Sequence, residues 1–96
     1  MPPKHGKRDA NEREMVEAWR ALGAVWIPMA QEAGFDGLLL FRGKVHIVEV
    51  KDTSQTHGKF KLTANEKLTM FMLDNVGVRY EIVWNMEQAL ALVEAG

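Results

Sequence analysis

Apolar side chains recur every three or four residues near the start of the chain. The members of this stripe are Met15, Val16, Trp19 and Leu22. This spacing predicts an amphipathic helix with one buried face. Asp9 or Asn11 is expected to cap the helix at its start, and Gly23 is expected to end it.

Two apolar runs, 38–41 and 45–50, are separated by the short segment Arg42-Gly43-Lys44. Runs of this length joined by a turn that contains glycine predict a β-hairpin. A short strand is also predicted at 24–27. Pro28 places that strand at an edge of the sheet or ends it, because proline has no N–H to donate to a neighbouring strand.

The second half of the chain alternates helix and strand signals. Thr63 and Glu66 have the spacing of a capping box, which opens a helix to about Asn75. A strand at 78–84 and a last helix at 86–94 follow. The predicted order is therefore helix, strand, strand, strand, helix, strand, helix.

Length and composition narrow the class of protein. The chain has 96 residues, which suits one domain at 9–96 after a flexible basic tail at 1–8. An apolar fraction of 47% and a charged fraction of 26% are typical of a folded protein rather than a disordered one. The absence of cysteine excludes disulfides and thiolate zinc sites. No signal peptide or membrane span is expected, so we predict a soluble, cytoplasmic protein.

Charge is unevenly distributed, although the net charge is only −1. Residues 42–67 carry six basic and three acidic groups, whereas residues 68–96 carry one basic and four acidic groups. One basic region is compatible with phosphate binding. A solvated mixture of charges remains the alternative.

The most informative residues lie at the end of the most apolar strand. Alternate residues of a strand share a face, so Glu49 and Lys51 are expected on the same face as Val45 and Ile47. Those two apolar residues predict that the face is buried at its start. In an antiparallel hairpin, the start of the first strand lies beside the end of the second. Asp36 is therefore expected near Glu49, with Lys51 adjacent.

Two carboxylates in contact repel each other unless a cation lies between them. Oxygen ligands of this kind suit Mg²⁺ or Mn²⁺, which activates a water and holds a phosphate. The nearby ammonium group of Lys51 would then stabilise charge on the phosphate. The alternative is an ordinary ion pair between Glu49 and Lys51 at an exposed strand end.

Other charged residues extend the candidate site. Glu12 shares the buried stripe of the first helix, either as a third acidic ligand or as a first-turn charge that the helix dipole favours. Three lysine residues follow Lys51 along the chain and are predicted to bind nucleic acid beside a helix N-terminus. They are Lys59, Lys61 and Lys67. His57 is an uncertain phosphate contact, and His46 is expected on the opposite strand face from Glu49.

Taken together, these motifs resemble the PD-(D/E)XK nuclease superfamily. The segments that carry the resemblance are Gly34-Phe35-Asp36-Gly37, Val48-Glu49-Val50-Lys51, Leu62-Thr63 and Gly77-Val78. Within the superfamily the chain is most similar to stand-alone VRR-NUC (virus-type replication-repair nuclease) domains, and more distantly to Holliday junction resolvases. The similarity spans roughly residues 9–84.

The resemblance implies an α/β fold with a restriction-endonuclease-like α-β-β-β-α-β core, in which a mixed sheet is flanked by helices. It assigns Asp36, Glu49 and Lys51 as catalytic residues. Metal ligands would be Glu12, Asp36, Glu49 and the carbonyl group of Val50. The expected function is a divalent-metal-dependent DNA endonuclease, acting on branched or four-way-junction DNA by analogy with relatives. A phage or prokaryotic host cell would be its setting.

One position departs from the family pattern, because Glu66 stands where members often have glutamine. Glu66 either completes the capping box alone or changes how metal and phosphate are held. This departure supports the alternative of a non-catalytic nucleic-acid-binding module that retains the nuclease fold. A scaffold or antitoxin-like protein is a third possibility. The small core and the apolar residues Met70 and Trp84 also predict a homodimer.

Overall fold

A computed structural model describes residues 10–51 and 62–95 of the chain. The helices are α1 (Ala10–Ala21), α2 (Ala64–Asn75) and α3 (Met86–Ala95). The strands are β1 (Val25–Pro28), β2 (Gly37–Phe41), β3 (Lys44–Val50) and β4 (Tyr80–Val83), and a short 3-10 helix spans Gln31–Ala33. The predicted order of helices and strands is confirmed. The 3-10 helix lies where the sequence predicts a loop. The predicted tail at 1–8 lies outside the described residues.

The strands form one mixed sheet in the order β1-β2-β3-β4. The first three strands are antiparallel, and β4 pairs with β3 in parallel. A parallel pair needs a crossover connection, and α2 lies within the segment that makes it. Pro28 lies on edge strand β1, as its missing N–H requires. The protein is therefore an α/β fold with a four-stranded mixed sheet and, in the part of the chain described, three α-helices.

The hairpin turn is tighter than the sequence predicted. Phe41 pairs with Lys44, so only Arg42 and Gly43 form the turn. Both have positive φ angles, 52° and 78°. Left-handed backbone at both central residues defines the turn type whose twist matches the flanking strands.

The main core lies between one face of the sheet and the pair of helices α1 and α3. Met15 and Trp19 of α1 are fully buried and pack with Val48 and Val83 of the sheet. The Trp19 indole stacks at 5.2 Å from the Trp26 ring and donates a hydrogen bond of 2.8 Å to the Ala89 carbonyl. These contacts of Trp19 with Trp26 and Ala89 hold α1 and α3 on the same side of the sheet.

The other side of the sheet carries the candidate site and is covered by α2 only near that site. Val45 is 61% exposed, so the prediction that this face is buried at its start is wrong. Burial increases along β3 instead, and Glu49 is only 3% exposed. The reason is that α2 lies over the end of β3, where Glu66 contacts Lys51.

The buried face of helix α2 contains polar as well as apolar residues. Thr69 is its buried residue, and Glu66, Met70 and Leu73 are half-buried. Met72, although apolar, is 52% exposed. Met70 and Trp84 are half-buried rather than exposed. These two residues therefore do not provide the exposed apolar surface on which the homodimer prediction was based, and the homodimer stays a prediction.

Candidate active site

The start of β2 brings Asp36 to the end of β3. The Asp36 amide donates a hydrogen bond of 3.0 Å to the Val48 carbonyl. Its carboxylate oxygen Oδ2 accepts a hydrogen bond of 2.8 Å from the Val50 amide. These two bonds continue the antiparallel pairing beyond Gly37, which pairs with Val48. Asp36 therefore lies beside the end of β3, as expected for the start of the first strand in an antiparallel hairpin.

Glycines on both sides of Asp36 allow this close approach. Gly34 has a φ of 83°, and a side chain there would collide with Thr69 of α2. Gly37 lies against the ring of Trp26, which a Cβ atom would strike. The segment from Gly34 to Gly37 is therefore held between the sheet and α2, with Asp36 inside it.

Glu49 and Lys51 emerge on the same face of β3, as strand alternation predicted. The Lys51 Nζ atom lies 3.4 Å from Glu49 Oε2 and 3.0 Å from Glu66 Oε1. The Lys51 side chain is 18% exposed and that of Glu49 only 4%. Lys51 is therefore a partly buried cation shared between two carboxylates.

Glu66 has two roles at once. It completes the capping box, because the Thr63 amide donates to Glu66 Oε1 at 3.0 Å and the Glu66 amide donates to Thr63 Oγ1 at 3.1 Å. The same Oε1 atom accepts from Lys51 Nζ. The geometry thus joins the beginning of α2 to the end of β3, and Glu66 belongs to the site as well as to the cap.

The carboxylates perturb one another strongly. Burial and the nearby charge of Asp36 raise the pKa of Glu49 from 4.5 to about 9. Burial opposes the charge of Lys51, but its contacts with Glu66 and Glu49 outweigh that effect and raise its pKa. Burial likewise opposes the charge of Glu66, while hydrogen bonds from neighbouring groups lower its pKa. A buried cluster of this kind favours an additional positive charge near Glu49.

One atom of the cluster suits a metal ion in particular. Glu49 Oε1 is buried, and no hydrogen-bond donor contacts it. A buried carboxylate oxygen without a partner is costly, and coordination to a hard cation removes that cost. Asp36 and Glu49 supply the oxygen donors that Mg²⁺ or Mn²⁺ prefers. These two residues therefore fit a divalent ion.

Glu12 is buried at 7% exposure on α1, as its place on the apolar stripe predicted. Its neighbour Asn11 reaches the ends of β3 and β4, so Glu12 lies toward the same end of the sheet. Within residues 10–51 and 62–95, no three histidine or acidic side chains are close enough to hold one ion together. The participation of Glu12 and of the Val50 carbonyl as ligands stays a prediction.

Sequence reasoning missed two residues of this region. The Tyr80 hydroxyl donates a hydrogen bond of 2.6 Å to the Gly34 carbonyl, and burial together with the charges of Glu49, Glu66 and Asp36 raises its pKa. The sequence suggests Asn11 only as a helix cap. Its amide instead donates to the carbonyls of Lys51 at 3.1 Å and Trp84 at 3.2 Å. A polar residue next to Glu12 in the first helical turn was the available signal for Asn11.

The predicted nucleic-acid contacts are only partly described. Lys59, Lys61 and His57 lie outside the described residues. Lys67 is exposed one residue after Glu66 and borders a cavity of about 570 Å³ that Tyr80 also lines. His46 is half-buried on the opposite face from Glu49, as predicted, with its Nδ1 atom 3.9 Å from Glu81 Oε2.

Comparison with known proteins adds no relative to this picture. No protein-family model matches the chain, no curated protein matches it, and no solved structure matches it. Among the described residues, no helix has the length and apolar character needed to cross a membrane.

Proposed function

We propose that this protein is a divalent-metal-dependent DNA endonuclease. The observation that carries the proposal is the buried, unpartnered oxygen of Glu49 next to Asp36 and Lys51. Two acidic side chains and a lysine at the end of one strand form a common arrangement for hydrolysing phosphodiesters with a metal ion. Resemblance to the PD-(D/E)XK superfamily supports the same function.

The order of elements agrees with the finer fold proposal. Helix α1, strands β1 to β3, helix α2 and strand β4 follow the α-β-β-β-α-β order of a restriction-endonuclease-like core. The site lies where β2 begins and β3 ends, with α2 starting beside it. This agreement supports the superfamily assignment but is shared by other α/β folds.

Asp36 and Glu49 would hold the metal ion, and the resemblance adds Glu12 and the Val50 carbonyl. A bound divalent ion supplies Lewis-acid activation of water and of the scissile phosphate. Lys51 lies beside Glu49, where its ammonium group stabilises negative charge on the phosphate. Glu66 holds that ammonium group at 3.0 Å, so Lys51 is positioned before substrate arrives.

DNA would approach the beginning of α2. Backbone N–H groups at a helix N-terminus favour phosphate, and Lys67 in the first turn adds an exposed positive charge. Such contacts hold the DNA backbone without reading bases. We therefore propose recognition of DNA structure, with branched or four-way-junction DNA as the substrate class, and Lys59 and Lys61 as further backbone contacts.

A cleavage assay tests this proposal. Purified protein is incubated with supercoiled, single-stranded and four-way-junction DNA in Mg²⁺, Mn²⁺ or EDTA. Asp36→Asn keeps an oxygen acceptor for the Val50 amide but loses the charge, and Lys51→Ala removes the cation. Glu87→Gln and Lys44→Ala are matched controls, because both residues are exposed and lie away from the site.

We expect metal-dependent cleavage that both site variants lose and both controls keep, with a loss of at least roughly 100-fold in each site variant. Circular dichroism checks that the variants are folded. Cleavage that survives in folded Asp36→Asn and Lys51→Ala, or that persists in EDTA, would contradict the proposal.

A non-catalytic nucleic-acid-binding module is the second candidate function. The observation that favours it is the ion pair between Lys51 and Glu66, in which a carboxylate already engages the lysine ammonium group. Under this alternative, the protein binds the same DNA in the assay without cutting it. Glu66→Gln then separates the two functions, because it frees Lys51. A binding module with this substitution still does not cut DNA, whereas a nuclease with this substitution cuts DNA at a changed rate.

A further inference from the structure

A cavity of about 570 Å³ lies between helix α2 and the segment that leads into strand β4. Its residues from α2 are spaced by three or four positions and therefore share one face of the helix. They are Lys67, Met70, Phe71 and Asp74. Arg79 and Tyr80 line the side that β4 provides. We call this space the α2–β4 cavity, and its volume is in the range of sites that hold a small organic group.

Tyr80 connects the α2–β4 cavity with the candidate active site. Its hydroxyl group donates a hydrogen bond of 2.6 Å to the carbonyl of Gly34, two residues before Asp36. Burial and the charges of Glu49 and Glu66 raise the pKa of this hydroxyl group, so it lies close to the acidic cluster. A group bound in the cavity therefore lies beside the residues that would hold the metal ion.

Phe71 gives the cavity an exposed aromatic ring. The residue is 63% exposed, and within residues 10–51 and 62–95 it is the one phenylalanine, tyrosine or tryptophan that is mainly exposed. Flat rings stack on such a side chain, and every nucleic-acid base presents a face of this kind. The ring of Phe71 therefore suits a base of any sequence.

Charged groups of both signs accompany this ring. Lys67 and Arg79 place positive charge at the cavity, where a phosphate is attracted. The Nε atom of Arg79 lies 3.5 Å from Glu81 Oε2, and its guanidinium group carries further N–H donors. Asp74 adds a carboxylate, which accepts hydrogen bonds from N–H groups.

A nucleotide combines the three groups that this cavity attracts. It has a flat ring for Phe71, a phosphate for Lys67 and Arg79, and N–H donors on the base for Asp74. An aliphatic occupant would instead bury these charges against apolar groups, which costs free energy. A base in an intact duplex is stacked and paired, so only a base outside the stack reaches such a cavity.

We propose that the α2–β4 cavity binds an unpaired nucleotide of a DNA strand, with its base stacked on Phe71 and its phosphate held by Lys67 and Arg79. This inference rests on the proposed action on DNA. It narrows the substrate class to DNA that carries an unpaired nucleotide, at a bulge or at a branch point. Such a nucleotide enters most readily because little pairing and stacking is lost.

Binding of fluorescently labelled DNA in EDTA tests the cavity without depending on cleavage. Fluorescence anisotropy compares a fully paired duplex, the same duplex with one bulged thymidine, and the same bulge with an abasic residue. Phe71→Ala removes the ring, and Phe71→Tyr keeps it. Met72→Ala is the matched control, because Met72 is the next residue of α2, is 52% exposed and does not line the cavity. Circular dichroism checks that the variants are folded.

We expect the unaltered protein, Phe71→Tyr and Met72→Ala to bind the thymidine bulge at least roughly tenfold more tightly than the other two duplexes. Phe71→Ala should lose this preference and bind the paired duplex as before. Equal binding of the three duplexes by the unaltered protein would overturn the proposal, as would a preference that persists in folded Phe71→Ala. Should Phe71→Ala fail to fold, the thymidine and abasic bulges still decide on the unaltered protein.

Two further measurements separate this inference from its neighbours. Equal binding of the three duplexes together with metal-dependent cleavage would remove the cavity proposal and leave the nuclease, whereas a bulge preference without cleavage would support the cavity and contradict the nuclease. Thymidine monophosphate is added as a competitor, and we expect no displacement near the Kd of the bulged duplex. Displacement at that concentration would show that the cavity takes a free nucleotide and would overturn the proposal.

Discussion

Glu49 is a buried acidic residue at the centre of the candidate site. Its side chain is 4% exposed, one of its oxygens has no hydrogen-bond donor, and its other oxygen lies 3.4 Å from Lys51. A charged carboxylate in such a place costs free energy unless a cation compensates it. Burial and the charge of Asp36 outweigh the opposing charge of Lys51 and raise the pKa of Glu49 to about 9 in the absence of a metal ion.

This burial predicts a pH dependence of stability. The pKa of Glu49 rises from 4.5 to about 9 on folding, so between these values the folded state binds a proton that the unfolded state lacks. Stability of the metal-free protein should consequently fall as pH rises from about 4.5 to about 9. Glu49→Gln removes this loss, because the neutral amide needs no proton. We expect the variant to be more stable than the unaltered protein at pH values near the upper end of that window.

Urea unfolding in EDTA over this pH window measures the effect. Glu87→Gln, which changes an exposed carboxylate of α3, is the control and should follow the unaltered protein. An identical slope of stability against pH in the unaltered protein and in Glu49→Gln would show that Glu49 ionises freely in the folded state.

At the scale of the element, the hairpin of β2 and β3 sets the geometry of the site. Its register places Asp36 beside the end of β3 and directs Glu49 and Lys51 to one face. Two glycines support it for different reasons. Gly37 leaves room for the Trp26 ring, whereas Gly43 provides a φ of 78° in the turn and has open space around it.

Alanine substitutions at these two glycines should therefore differ. Gly37→Ala forces a methyl group against a buried ring, so we expect a loss of about 3 kcal/mol or more in the free energy of unfolding, together with displacement of Asp36. Gly43→Ala meets no atom and is expected to cost about 1 kcal/mol through its backbone conformation alone. Urea unfolding of both variants gives the comparison. Equal losses would mean that packing against Trp26 does not constrain this strand.

At the scale of the whole molecule, three separate parts of the chain converge on one end of the sheet. The beginning of β2 contributes Asp36, the end of β3 contributes Glu49 and Lys51, and the beginning of α2 contributes Glu66. Asn11 of α1 joins them through the carbonyls of Lys51 and Trp84. A ligand that binds this cluster therefore links several elements and should stabilise the entire fold.

Divalent metal should accordingly raise the melting temperature. At a concentration one hundredfold above Kd, binding to the folded state contributes about 2.7 kcal/mol, which corresponds to a shift of roughly 10 °C or more for a domain of this size. The shift should increase with pH, because the metal competes with the proton on Glu49. Thermal unfolding with Mg²⁺ or Mn²⁺ against EDTA measures it. Asp36→Asn should abolish the shift and Glu87→Gln should keep it, and an equal shift in both variants would exclude a metal site at Asp36.

Much of the fold could be predicted from local patterns. The stripe with Trp19 predicted α1, the capping box of Thr63 and Glu66 predicted the start of α2, and the apolar runs around Gly43 predicted the hairpin. These features depend on neighbours within a few residues along the chain. For the same reason, strand alternation was enough to place Glu49 and Lys51 on one face.

The sequence by itself determined the order of elements, the hairpin that brings Asp36 near Glu49, and the shared face of Glu49 and Lys51, whereas the two-residue turn and the register it sets came from the structure. Only the tertiary structure decided which faces of the sheet are covered. It left Val45 exposed and buried Glu49, brought Glu66 to Lys51 and Tyr80 to Gly34, and turned Met72 outward. The physical reason is that side-chain periodicity specifies the two faces of a strand, while the packing of distant helices determines which face water reaches.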